Sequence, residues 1–178
     1  MRAAIKFLNT PLVRVYMVSQ MSHHPLALKL ETLDDDVKLA NYINELLSTD
    51  PRRVREIREL IGNTSHSGYR RVHEHLAATL DRLISGLEAG SGELKGNLLS
   101  LSKALILVEY QLARKQISDS LANILIGIIR KLMSDISKMM ESKEPTRSSE
   151  ELKKLREKVE RARTIIDCLA VLVYRWAR

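Results

Sequence analysis

Residues 98–116, LLSLSKALILVEYQLARKQ, restrict the fold more than any other part of the chain. Apolar side chains at Leu98, Leu99, Leu101, Ala104, Leu105, Ile106, Leu107 and Val108 surround the middle of this stretch, which then turns basic at Arg114 and Lys115. A surface helix keeps one apolar stripe, whereas a helix apolar all round must be covered on several sides. The stretch is therefore expected to be the central strut of an all-α fold. The expected architecture is a compact helical bundle of about five to six helices, each laying one stripe on the strut.

The other segments supply such stripes. A first helix is expected over 34–48, opened by Thr32 with Asp35 three residues on, and with Leu33, Val37, Ala40, Ile43 and Leu47 inward. Asp50–Pro51 reads as an N-cap followed by proline at the first helical position, and Gly62 as the C-cap, giving a short helix over 51–61. Apolar positions 69, 72, 76, 80, 83 and 87 alternate by threes and fours through a third helix, 68–88. After the turn AGSG at 89–92 comes the central helix, 93–116. Ser118 or Ser120 then caps a fifth, 119–141, with stripe Leu121, Leu125, Ile128, Leu132, Ile136 and Met139. The polar, proline-containing stretch 142–149 is expected as an exposed loop. A capping box, Ser148 with Glu151, opens a last helix with Leu152, Leu155, Val159, Ala162, Ile166, Leu169, Val173 and Trp176 on one face.

Residues 31–178 thus read as a single helical-bundle domain, long enough for a sizeable core. Residues 1–30 carry Arg2, Lys6, Arg14 and Lys29 with no acid, and Pro11 and Pro25 interrupt any long helix. They lack the continuous apolar region of a signal peptide. Met17 and Met21 offer later translation starts for a segment expected to be weakly ordered, or ordered only by a partner.

No run approaches the roughly 18 apolar residues of a membrane span, so no membrane is expected as a partner. A single cysteine, Cys168, excludes an internal disulfide and fits a reducing, cytoplasmic setting; among Ile165, Ile166 and Leu169 it reads as a small core residue. The sequence holds no phosphate-binding loop, dinucleotide glycine pattern, zinc-spaced Cys/His set or nucleophile elbow, so neither an enzyme nor a cofactor is expected. Asp34–Asp36 would fan around a helix rather than converge on a metal. His73 and His75, two apart, point to opposite sides.

Charge geometry remains. The net charge is +7, which favours an anionic partner. Basic side chains gather at Arg52, Arg53, Arg55 and Arg58, at Arg70 and Arg71, and at Arg114 and Lys115. Glu56 and Glu59 can neutralise part of the first group by near-neighbour pairing. The candidate nucleic-acid-binding residues are Arg52, Arg53, Arg55, Arg70, Arg71, Arg114 and Lys115. Scarce aromatics, at 4% of the chain, favour backbone contacts over base reading.

Three short motifs carry a resemblance. Ser67-Gly68-Tyr69-Arg70 opens a helix; Tyr110-Gln111-Leu112-Ala113-Arg114 closes the apolar one; and Val171-Leu172-Val173-Tyr174-Arg175 closes the last. In order and spacing, over about residues 63–178, these resemble the small helical subunit of type III-A CRISPR effector complexes, the Csm-type small subunit. Leu107 stands where that family tends to carry a lysine, and residues 34–61 have no clear counterpart. The resemblance implies a non-catalytic RNA-binding subunit, self-associating in several copies among other effector subunits along guide and target RNA. Two other readings compete. VREIRELIGNTSHSGYRRVHEHL also resembles a helix-turn-helix DNA-binding unit of a transcriptional regulator, with Gly62 in its turn. A helical protein–protein adaptor would leave the basic surface incidental.

Overall fold

Helix boundaries follow local chemistry. The computed structural model describes residues 24–88, 94–141 and 149–177. A short 3-10 helix, Leu30–Asp34, precedes six α-helices: α1 (Asp36–Leu46), α2 (Pro51–Ile61), α3 (His66–Glu88), α4 (Leu94–Ala113), α5 (Asp119–Glu141) and α6 (Ser149–Trp176). There is no strand among the described residues, and the fold is an all-α bundle. The expectations for residues 1–23, the turn at 89–92 and Ser148 lie outside the described residues, as does nearly all of the loop expected over 142–149. Among the described residues no helix is long and apolar enough to cross a membrane.

Asp50 caps α2 as its sequence implies, its carboxylate accepting from the amides of Arg52 (3.0 Å) and Arg53 (3.2 Å). Gly62 ends that helix at a φ of +53°, a region open to glycine at little cost. The start of α1 differs from expectation. Asp35, not Thr32, is the cap, accepting from Val37 (2.8 Å) and Lys38 (3.1 Å). Of the expected stripe Leu33 is buried and Ile43 packs on the core, while Val37, Ala40 and Leu47 are exposed; Tyr42 and Leu46, flanked by Leu39, face inward instead, toward α6.

The three aspartates each have a structural partner. Asp34 accepts from Lys158 of α6 (2.7 Å), Asp35 caps α1, and Asp36 accepts from Arg161 (2.6 Å). Lys158 also bonds Asp135 of α5 (2.6 Å), tying three elements together. Burial works against the Lys158 charge, but its hydrogen bonds to Asp135 and Asp34 outweigh it and hold the pKa above the ordinary lysine value.

Of the two apolar helices it is α5, not α4, that is enclosed, and residues 98–116 are not the strut they were expected to be. Six successive residues of α5, from Ile124 to Ile129, are buried, because α5 touches α2, α4, α6 and the 3-10 helix. Among the described elements α4 packs on α3 and α5 alone. Its inner face (Leu94, Leu101, Ala104, Val108) is covered, while Leu99, Ile106 and Tyr110 stand 60%, 68% and 52% exposed. Both helices are rich in apolar residues; position at the edge or the middle of the bundle decides which is covered.

α6 lies antiparallel along α3 and also meets α1, α2 and α5. Its expected stripe is buried from Leu155 to Val173, and the α3 stripe is buried at all six positions. Burial of each large side chain stabilises by ~1.5–3 kcal/mol. At the seam Arg163 meets Asp81 (2.9 Å), Arg156 meets Glu88 (2.8 Å) and His73 Nε2 meets Asp167 (2.8 Å). The buried Tyr69 hydroxyl donates to the Ile166 carbonyl (3.0 Å). Cys168 is buried, which pushes its thiol pKa up to about 11 and keeps it an inert core residue. The core also takes in Leu26 and Leu28, before the boundary expected at residue 31, and the Tyr42 hydroxyl donates to the Leu26 carbonyl (3.1 Å).

Candidate nucleic-acid interface

Two loops meet at one end of the bundle and lock it. Ser118 precedes α5 and makes three hydrogen bonds through its hydroxyl and amide. Its hydroxyl donates to the Leu60 carbonyl (2.6 Å) and accepts from the Leu121 amide (3.2 Å), and its amide donates to Thr64 Oγ1 (3.0 Å). The Ser65 amide donates to the Gln116 carbonyl (2.8 Å), and its hydroxyl to Gln116 Oε1 (2.8 Å) while accepting from the Gly68 amide (3.0 Å). Gly68 allows this approach: a Cβ there would lie 2.6 Å from Gln116 Cβ and 2.8 Å from its carbonyl oxygen. The loop ending α2, the start of α3 and the turn between α4 and α5 are therefore one unit.

The end of α4 is closed in an unusual way. The Gln116 amide bonds the Gln111 carbonyl (2.9 Å) and the Lys115 amide bonds that of Leu112 (2.8 Å), the paired pattern that commonly ends a helix on a left-handed glycine. Here the left-handed residue is Lys115, with φ +56°. A side chain there costs roughly 1–2 kcal/mol. The strained residue carries a charge into solvent beside Arg114, whose guanidinium lies 5.4 Å from the Tyr110 ring centroid and donates to its hydroxyl (3.1 Å).

The C-terminal end of α6 reaches the same junction. Trp176 holds two guanidinium groups near its ring, Arg58 of α2 at 4.5 Å and Arg175 at 4.9 Å from the centroid. Tyr174 packs on His66, the first residue of α3, with centroids 5.7 Å apart. This end of the bundle carries Arg58, Arg71, Arg114, Lys115 and Arg175, none ion-paired with an acid among the described residues; half-exposed Tyr110 lies beside Arg114 and half-exposed Tyr174 beside His66. Asp119 stands at the positive N-terminal end of α5, where the helix dipole favours its charge.

The candidate residues divide accordingly. Arg71, Arg114 and Lys115 fall at this end, exposed and without ion pairs among the described residues. Arg70 is there too, but bonds Glu74 at 2.7 Å, which raises its pKa further. Arg52 and Arg55 pair within their own helix, with Glu56 (3.6 Å) and Glu59 (3.2 Å). Arg53 bonds Glu56 (2.6 Å) and approaches Glu45 (3.8 Å). These three arginines are satisfied locally and stand toward the start of α2, away from the junction. The candidate binding residues read from the sequence did not include Arg58, His66, Tyr174, Arg175 or Trp176. The one available signal was the aromatic–basic ending Tyr174-Arg175-Trp176.

Among the described residues no group of three His, Cys, Asp or Glu side chains converges to hold a metal ion. No protein-family model matches the sequence, and no curated protein and no solved structure matches it.

Proposed function

We propose that the protein is a non-catalytic RNA-binding subunit that grips single-stranded RNA by its backbone at the α3/α4/α6 end of the bundle. The observation that carries this reading is that five cations without an ion-pair partner among the described residues, and two half-exposed tyrosines, fall at the one hydrogen-bonded end of the bundle. Phosphates call for guanidinium and ammonium groups on one surface, and exposed aromatic rings give unstacked bases something to lie on without reading their sequence. The motifs that resemble those of the Csm-type small subunit suggest a setting: a type III CRISPR effector, cytoplasmic, with guide and target RNA as ligand and other subunits as neighbours. Two of those motifs, Tyr110 to Arg114 and Val171 to Arg175, end at this junction. The third opens α3 and puts Tyr69 in the core rather than at the surface.

A helix-turn-helix reading has less support. The start of α3, which would enter a DNA groove, is pinned under Gln116 and flanked by Tyr174.

Fluorescence anisotropy with single-stranded RNA, single-stranded DNA and duplex DNA over a salt series tests the proposal. Single-stranded RNA should bind best, with an affinity that falls as salt rises, by about 0.7 logarithmic units per phosphate contact and decade of salt. Combined Arg71→Glu, Lys115→Glu and Arg175→Glu should abolish binding, whereas Arg52→Glu with Arg55→Glu should change it little. Preference for a palindromic duplex would transfer support to the regulator reading, and RNA affinity unaffected by the triple change would end this one.

A further inference from the structure

We propose that the outward face of α4 is a self-association surface, on which a second copy of this chain docks its own α4 antiparallel, about a two-fold axis beside Ile106. This goes beyond the RNA-binding reading and does not depend on it.

The face is apolar where a surface helix is ordinarily polar. Leu99 and Ile106 are 60% and 68% exposed, and with Ala113 they repeat every seven residues, the spacing of one row of a helix–helix seam. Tyr110, 52% exposed, widens the seam on one flank. Leu98, Leu105 and Leu112, partly buried against the core, border it on the other.

The charges on this face specify the occupant. Lys103 and Glu109 are both exposed, and neither has an ion-pair partner among the described residues. They stand three residues before and three residues after Ile106. In an antiparallel two-fold pair, positions equally far on either side of the axis share a layer, and each contact occurs twice. Ile106 then meets its own counterpart, and Leu99 shares a layer with Ala113 of the second copy. Lys103 shares one with the second copy's Glu109, within reach of two long side chains. One inverted copy of the helix thus covers the apolar seam and neutralises both charges. A parallel copy would instead place Lys103 level with Lys103. A nucleic acid would gain nothing from Leu99, Ile106 or Glu109.

Sedimentation equilibrium of the full chain tests the proposal. A concentration-dependent dimer is expected. Ile106→Asp should convert it to monomer with helical ellipticity unchanged and a melting temperature equal to that of the parent diluted to monomer, because in the monomer the replaced side chain points into solvent. Lys103→Glu and Glu109→Lys should each raise the dimer dissociation constant at least about tenfold, by setting like charges in one layer. The two changes together should restore association to near the parent value. Glutamate substitutions at Arg71, Lys115 and Arg175 should weaken RNA binding without moving the dimer constant, so failure of this proposal and failure of the RNA-binding reading are separable. A full chain that stays monomeric at every concentration overturns it. So does a dimer indifferent to Ile106→Asp, or a double charge exchange that associates no better than either single change.

Discussion

Lys115→Gly should make the protein more stable and a weaker RNA binder. Lys115 holds φ +56° to complete the pattern that ends α4. Releasing a side chain from the left-handed region returns roughly 1–2 kcal/mol. The greater freedom of glycine in the unfolded chain takes back about 0.4–1 kcal/mol. The net is a stabilisation of about 0.5–1 kcal/mol, which for a chain of this size raises the melting temperature by about 1–4 °C. The same change removes one of the five cations without an ion pair among the described residues, so the salt slope for single-stranded RNA should fall by about 0.7. Lys115→Ala is the matched comparison. It loses the same charge, keeps the strained backbone, and should stay within about 0.5 kcal/mol of the parent. Paired urea denaturation and anisotropy titrations on the three proteins supply the readouts. If glycine stabilises no more than alanine, the left-handed geometry is not strained. If both variants bind RNA with an unchanged salt slope, Lys115 touches no phosphate.

Ser118→Ala removes the cap of α5 and leaves the Leu60 carbonyl without its 2.6 Å donor, so urea denaturation should show a loss of about 2–3 kcal/mol. Gly68→Ala places a Cβ against a backbone oxygen that cannot swing aside; it should cost about 1–3 kcal/mol and weaken RNA binding by parting the two loops. Acid should destabilise the fold. A hydrogen bond from Arg161 depresses the Asp36 carboxyl below its ordinary value of 3.8; burial opposes ionisation of Asp167, but hydrogen bonds from Arg163 and His73 outweigh it and depress that carboxyl too. A folded pKa below the unfolded one stabilises above about pH 4, and that contribution is lost as pH falls through the folded values. Melting temperature measured from pH 6 down to pH 3 should therefore fall, and fall less steeply for Asp36→Asn.

The boundaries were legible wherever one residue settles them: Asp50 and Pro51 open α2, Gly62 closes it, and Ser118 opens α5. The α3 and α6 stripes were legible because periodicity along one helix needs no knowledge of its neighbours. The exchange of roles between α4 and α5 was not. Composition shows that both are apolar, whereas coverage depends on which elements surround them. A partial signal was present, since Ser102, Lys103 and Glu109 interrupt α4 while Ile124 to Ile129 run without a charge. The candidate interface was half legible for the same reason. Arg71, Arg114 and Lys115 stand out as charges, but their meeting with Arg58, Tyr174 and Trp176 depends on α6 running the length of the bundle to end beside α2 and α3. The local pairing of Arg52 and Arg55 with Glu56 and Glu59 was readable from near-neighbour spacing alone.

Trp176 is the only tryptophan in the chain, and it sits between the arginines of two separate helices at the junction. Its fluorescence is therefore a local gauge rather than a global one. Emission follows whether the α6 end is seated on α2, while ellipticity follows the bundle as a whole. A melt in which the two signals separate would show the junction opening as a unit of its own, ahead of the core. An emission change on adding RNA, with ellipticity constant, would time the arrival of phosphate beside Arg58 and Arg175 without a label attached to either molecule.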